Sequence, residues 1–322
     1  MKHSLQITLI LLLIFFLAQV TGLLITGRYI NIDASRQLGK VTWQELPLNL
    51  ERPQLEEATS YVYLFAIMLI GTILALFLIR LKAFRFWKIW FLFAITFCLT
   101  IAFGAFVSQT IAIIIAVPLA VWKTFRPNVY VHNFTELFIY GGIAALLVPV
   151  MNLFSITILL ILVSLYDMYA VWQSKHMIKL AEFQSQQKIF AGLFIPYEKA
   201  GNKKTKVLTA SNKSAAPKRF AKRSSTIPVP LQPQQSTARN AVLGGGDIGF
   251  PLMFSGVILK QLLFVHSFAV SLGYTLIISI CATIVLGILL FKAQEGKYYP
   301  AMPFVSAGCF VGLGILKLVG IL

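Results

Sequence analysis

Two apolar stretches that each hold one carboxylate decide the reading: residues 154–175, FSITILLILVSLYDMYAVWQSK, and residues 242–264, VLGGGDIGFPLMFSGVILKQLLF. A helix of about 20 apolar residues crosses a bilayer core about 30 Å thick, and lipid satisfies no backbone polar group. Both stretches therefore read as membrane spans. A carboxylate at the centre of such a helix costs roughly 2.5–3.5 kcal/mol on insertion scales, and one that occurs there faces protein or a wet cavity. Asp167 precedes the first flanking cation, Lys175, by eight residues, and Asp247 follows the last one, Arg239, by eight. At 1.5 Å per helical residue, each lies about 12 Å inside the same edge. The two spans run antiparallel, so their carboxylates meet at one level.

The rest of the chain fits this frame. Of 322 residues, 58% are hydrophobic and 12% charged, and the mean hydropathy is +0.80. An ordinary soluble domain carries about 25% charge, so a soluble globular protein, a disordered chain and a disulfide-stapled module are all excluded. Nine runs are long enough to span: 5–26, 60–80, 86–105, 107–123, 134–152, 154–174, 242–264, 271–291 and 302–320. The least defined boundaries lie between the third and fourth runs and around Pro149 to Asn152. Lys2 precedes the first run and Ala18-Gln19-Val20 weakly resembles a cleavage site. The stretch exceeds the 7–15 residues of a signal-peptide core, however, and is read as a retained span. Cys98, Cys281 and Cys309 each lie inside an apolar run, so neither a disulfide framework nor a thiolate metal site is supported.

The formal charge of +17 is unevenly placed. The loop 27–59 holds four Lys/Arg against five Asp/Glu, whereas residues 175–239 hold 13 Lys/Arg against Glu182 and Glu198. Arg80, Lys82, Arg85 and Lys88, then Lys123 with Arg126, then Lys292 with Lys297, mark the remaining basic connections. All of them fall on one side if the N-terminus is cytoplasmic and nine spans are crossed, which leaves the C-terminus outside. The basic charge is thus a topology signal, and a nucleic-acid role is set aside. The expected organisation is helices 1–6 over 1–174, a basic cytoplasmic loop over 175–239, and helices 7–9 over 240–322. Met177, Ile178, Leu180 and Ala181 suit a helix continuing out of the sixth span. Ile189 to Ile195 suits a short strand ending at Pro196. Residues 200–239, rich in Lys, Ser, Gln and Pro, are expected to be disordered, with some affinity for anionic lipid.

Among eleven acidic residues only Asp167 and Asp247 sit well within apolar runs. Glu136, at the mouth of the fifth, reads as an interfacial helix-start residue. Two facing carboxyls in a low-dielectric site do not readily both ionise. The ionised member can take a proton from water while the protonated one polarises a peptide carbonyl, and the pair then returns a proton to the leaving amine. That chemistry calls for no metal and no cofactor. Gly244-Gly245-Gly246 lets the backbone leave helical geometry and lets another chain approach, and Pro251 loosens the start of the seventh span further. Pro300-Ala301-Met302-Pro303 gives a second non-helical stretch before the ninth. The rival reading is a cation or proton channel or transporter using the same two carboxylates; both acids lying in the second half of the chain, with no repeat between halves, weighs against it. No HExxH occurs, and His3, His132, His176 and His266 are scattered, so a zinc site is not supported. His266 reads as an interfacial polar residue. Lys260, thirteen residues beyond Asp247, reads as a lysine snorkelling to the outer interface.

At these residues the chain resembles the presenilin and signal peptide peptidase family of intramembrane aspartyl proteases, and most of all its archaeal presenilin homologues. The family pairs Tyr-Asp in its sixth span with Gly-x-Gly-Asp opening its seventh and Pro-Ala-Leu before its ninth. Here these stand as Tyr166-Asp167, Gly244-Gly245-Gly246-Asp247 and Pro300-Ala301-Met302. The segment YDMYAVWQSKHMIKLAE, residues 166–182, is especially similar to the archaeal members. The resemblance implies an all-α polytopic fold in the cell membrane, archaeal by likeness. It implies Asp167 and Asp247 as the catalytic pair, and Tyr166, Gly244, Gly246, Pro300, Ala301 and Met302 as the substrate site. It implies as substrates single-span membrane proteins, cut within or near their transmembrane helix. Met302 departs from the family leucine, a change similar in volume. The orientation derived above matches presenilins rather than the inverted signal peptide peptidases. A peptide bond inside a helix must be unwound before attack, and an extended segment needs partners for its N–H and C=O groups. Strand addition supplies them, which predicts short strands near 189–195 and 240–244, with substrate pairing between them and Pro300 to Met302.

Overall fold

The structure is a computed structural model, and it describes residues 5–81, 83–126, 128–173, 191–197, 239–294 and 299–322. Among these residues every one of the nine apolar runs contains a helix. They are α1 (Leu5–Arg28), α3 (Ser60–Arg80), α4 (Phe84–Gly104), α5 (Gln109–Phe125), α6 (Val129–Leu147), α7 (Leu153–Trp172), α8 (Gly245–Leu262), α9 (Phe268–Lys292) and α10 (Met302–Leu318). A short helix α2 (Ile32–Leu38) stands between the first two. Six of the described helices are long and apolar enough to cross a membrane, and α5 and α10 are shorter apolar helices. The helix expected to continue past the sixth span, and the disorder expected over 200–238, lie outside the described residues.

Local chemistry explains the boundaries. The fifth run begins helically at Val129, ahead of its apolar stretch, because the Asn128 side chain accepts the Tyr130 N–H. Between α6 and α7 the chain tightens into a 3-10 turn at Val148–Val150, which accommodates Pro149. It then restarts on a capping box in which Asn152 and Ser155 bond each other's backbone N–H. The loop 27–59 is more ordered than a connection needs to be. Strands β1 (Ile30–Asn31) and β2 (Thr42–Trp43) pair antiparallel around α2. The Tyr29 hydroxyl donates to the Ile101 carbonyl at 2.7 Å, and the Arg52 guanidinium lies over the rings of Tyr29 and Trp43.

The strand expected near 240–244 is present: β4 covers Arg239–Gly244 and joins β3 (Gly192–Tyr197) in a two-stranded sheet, so the seventh run opens extended and its helix is shorter than the run. The helix starts at Gly245, with Gly244 as an extended N-cap (φ −65°, ψ 149°), so Gly245 and Gly246 are helical rather than unwound. Extended chain rises about 3.3 Å per residue against 1.5 Å in a helix, so the equal-depth estimate for Asp247 does not hold along this route. Strand β3 falls where one was expected near 189–195 and continues through Pro196 to Tyr197.

The chain divides into a helical unit, residues 1–195 with 241–322, and a segment 196–240 of which the described parts are its two ends. In the helical unit α8 is central, packed by α1, α6, α7, α9 and α10. Leu11, Phe15 and Leu23 of α1, Leu159 and Leu160 of α7, and Leu252, Phe254 and Val257 of α8 share one core. A second cluster joins α4, α5 and α6 through Leu99, Ala116, Ala120 and Ile139. Small residues set the closest approaches. A Cβ on Gly308 or Gly312 of α10 would lie 2.6 Å from the Cα of Ala282 or Ile278 of α9, a glycine-lined crossing of the kind that lets membrane helices touch backbone to backbone.

Candidate active site

Asp167 lies near the C-terminal end of α7, and Asp247 is the third residue of α8. Each carboxyl is half-buried, and each takes up helix N-terminal amides that have no partner within their own helix. Asp247 reaches back to accept the N–H of its own N-cap, Gly244, which is half of a capping box with an aspartate at the third position. Asp167 accepts the N–H groups of Ala301 and Met302, the latter at 3.2 Å. These are the N-cap and first residue of α10. Pro303 follows in the first turn, where its missing N–H costs nothing. The positive ends of α8 and α10 therefore both point at carboxylates, and the two carboxyls are near enough for the charge of Asp167 to act on Asp247.

The other expected residues fall around this pair in different ways. Gly244 touches it: a Cβ there would lie 3.2 Å from Asp247 Oδ2. Ala301 and Met302 touch it through their backbone, Met302 being buried and Ala301 half-buried. Pro300 is buried just ahead of them. Tyr166 is half-buried and meets Phe65 of α3 edge-on, with ring centroids 6.4 Å apart. Gly246 is exposed, and a Cβ there would meet the Phe250 ring at 3.6 Å rather than either carboxyl.

Other polar groups lie elsewhere along the helices. Glu136 is not interfacial: it is 2% exposed and forms an ion pair with Lys123 of α5 while accepting the Tyr140 hydroxyl. An apolar stretch on its C-terminal side marks the run's edge in sequence, but neighbouring helices close over it. Its i,i+4 spacing to Tyr140 was the available signal that both share one helix face. Lys260 is likewise not snorkelling. It is 5% exposed and donates to the Met151 carbonyl at 2.6 Å and to Glu57 at 3.1 Å. Gln19 of α1 donates to the Ile248 carbonyl at 3.0 Å, one residue from the Asp247 carbonyl that Pro251, lacking an N–H, leaves without its helical donor. Ser164 and Ser306 join α7 to α10 at 2.9 Å. The first turns of α6 hold β3: Asn133 both donates to and accepts from the backbone of Phe194, at 2.8 and 3.0 Å, and His132 bonds the Gly192 carbonyl at 2.7 Å.

A bundle of apolar helices with paired carboxyls at two helix N-termini is the architecture of a membrane-embedded aspartyl protease. The profile of the family described as signal-peptide peptidase, presenilin aspartyl protease matches residues 42–321, and the chain belongs to that family. Among solved structures it is similar to a presenilin family intramembrane aspartate protease in two crystal forms. In the C222 form the identity is 16% over 95% of this chain and 94% of that one, with a TM-score of 0.55. In the P2 form it is 16% over 96% of each, with a TM-score of 0.57. At that identity the likeness speaks for the fold. No curated protein sequence matches the chain.

Proposed function

We propose that Asp167 and Asp247 are the catalytic pair of this intramembrane aspartyl protease, and that it cleaves single-span membrane proteins within or near their transmembrane helix. The observation that carries this is the convergence of two helix N-termini on two carboxyls that feel each other's charge. One carboxylate takes a proton from water as the water oxygen attacks the scissile carbonyl carbon, and the other donates its proton to the carbonyl oxygen. In the collapse of the tetrahedral diol the C–N bond breaks. A proton passes to the leaving amine, and the pair returns to one shared proton.

The substrate binds extended. Gly244, Gly246 and the Pro300 to Met302 segment shape its path, and Tyr166, next to Asp167 in α7, takes part in the same substrate site. Supporting this is the β3–β4 sheet, which ends at Gly244 only three residues before Asp247, so a strand added along β4 would carry its peptide bonds toward the carboxyls. The chain crosses the cell membrane nine times with its N-terminus cytoplasmic and its C-terminus outside, an arrangement supported by the basic connections on one side.

Cleavage of a single-span substrate by the purified protein in detergent tests the pair. Asp167→Asn and Asp247→Asn should each abolish it, and so should a transition-state analogue of aspartyl proteases. Cleavage surviving either substitution removes that residue from the chemistry. Proton or cation flux through the wild type, lost in the same variants, would instead favour a transport role.

A further inference from the structure

The peptide chemistry proposed above leaves one buried charge pair without a task. Lys123 and Glu136 are 3% and 2% exposed, and Tyr140 is 4% exposed. Desolvation of both charges offsets most of what such a pair gains by attraction, so it is a poor source of stability. Its geometry suggests what it does instead. Glu136 Oε1 takes the Lys123 ammonium, with His132 Nε2 at 3.9 Å, and Oε2 takes the Tyr140 hydroxyl. Both carboxylate oxygens are thus engaged, and the tyrosine ring is held at its tip.

That ring lies under the first turns of α8. A Cβ on Gly245 would stand 2.8 Å from Tyr140 Oη and 3.2 Å from Cε1, and one on Gly249, a turn later, 3.7 Å from Cδ1. Gly245 is the first residue of α8, two before Asp247, and its N–H donates to the Ala191 carbonyl at 3.1 Å. The next carbonyl, Gly192, is held by His132. One face of α6 therefore grips the start of β3 through His132 and Asn133 and the start of α8 through Tyr140.

We propose that Lys123, Glu136 and Tyr140 are positioning residues for Asp247. The buried carboxylate fixes the tyrosine, and the tyrosine fixes where α8 begins and hence where the Asp247 carboxyl stands. Glycine at 245 is required by this contact, because any side chain there displaces the hydroxyl from Glu136. The proposal rests on Asp247 being catalytic.

The test uses the full-length protein in detergent with a single-span substrate, and reads kcat and KM separately. Gly245→Ala should lower kcat about 10-fold or more with KM little changed, since displacement of a reacting group by even 1 Å can cost about 100-fold. Adding Tyr140→Phe removes the 2.8 Å contact and leaves 3.2 Å as the nearest. Both changes break the same tyrosine–glutamate link, so the double variant should be no slower than Gly245→Ala alone. Independent structural defects would instead add, and a double variant slower than Gly245→Ala overturns the proposal. Should Gly245→Ala fail to fold, Glu136→Gln and Glu136→Leu carry the test. The amide oxygen still accepts the tyrosine hydroxyl, so Gln should retain the higher kcat, and equal values overturn the proposal. Asp247→Asn run alongside separates the two claims. An active Asp247→Asn enzyme sinks both, whereas an inactive one with no coupling between 140 and 245 sinks positioning alone.

Discussion

Helices α8, of 18 residues, and α3, of 21, occupy opposite environments. Helix α8 is buried nearly all round, from Ile248 to Lys260, while little of α3 is buried and its Ile67, Ile70, Ile73 and Phe77 are exposed. The difference lies in the small residues. A Cβ on Gly256 of α8 would lie 2.8 Å from Val148 Cγ2, whereas a Cβ on Gly71 of α3 meets nothing within 4 Å. Lipid tails are as apolar as leucine, so a helix gains little by exchanging one for the other, and close packing of small residues sets which helix goes inside. The central helix is also the one that carries Asp247 in its first turn. A proposed reacting group thus stands where five neighbours fix the backbone, and the loosely held helix lies beside Tyr166 through Phe65.

The contrast is broken most directly by exchanging its small residues for large ones. Gly256→Leu forces a branched side chain against Val148, which is itself fully buried and too short to swing away. Overpacking of this kind costs about 3 kcal/mol. A substantial fall in the thermal midpoint in detergent, with loss of cleavage, is expected. An unchanged midpoint would mean that α8 has more room than its contacts imply.

Some of this arrangement was legible in the chain and some was not, for physical reasons. A carboxylate inside an apolar run is costly, so Asp167 and Asp247 announce themselves one residue at a time. The strand-forming run up to Pro196 is an equally local signal. Lys260 is different. Its partners, Met151 and Glu57, are 109 and 203 residues away, and a lone lysine near a helix end reads as snorkelling until those partners are in view. Glu136 was hidden for the same reason, since Lys123 belongs to the previous helix and looks like one more topology cation. The start of α8 was ambiguous because three glycines permit helix and extended chain about equally. The resolving feature, Tyr140 beneath Gly245, comes from a helix more than 100 residues earlier in the chain.

Lys260 is also the polar link between the two compared regions, since Glu57 stands three residues before α3. Lys260→Met removes the donor to the Met151 carbonyl and leaves that group buried without it, at a cost of about 1–3 kcal/mol. Glu57→Gln should cost less, because Glu57 is 49% exposed and exposed ion pairs are worth about 0–1 kcal/mol. Thermal midpoints of the two variants check the order. A larger loss from Glu57→Gln would show that the ion pair, and not the carbonyl bond, holds this end of α8.

The smallest effect sharpens the comparison most. Gly71→Ala adds a methyl group where nothing lies within 4 Å, so packing neither opposes nor rewards it. What remains is intrinsic helix preference, which favours alanine over glycine by about 0.8–1.0 kcal/mol in water and by less where lipid already enforces the helix. The expected midpoint is therefore equal to or slightly above that of the wild type, with cleavage retained. Gly71→Leu should behave alike, because the added carbons meet lipid. The same leucine would thus be destabilising at 256 and harmless at 71. If Gly71→Leu lowered the midpoint as far as Gly256→Leu does, the outward face of α3 would have to be a contact surface rather than a lipid-facing one.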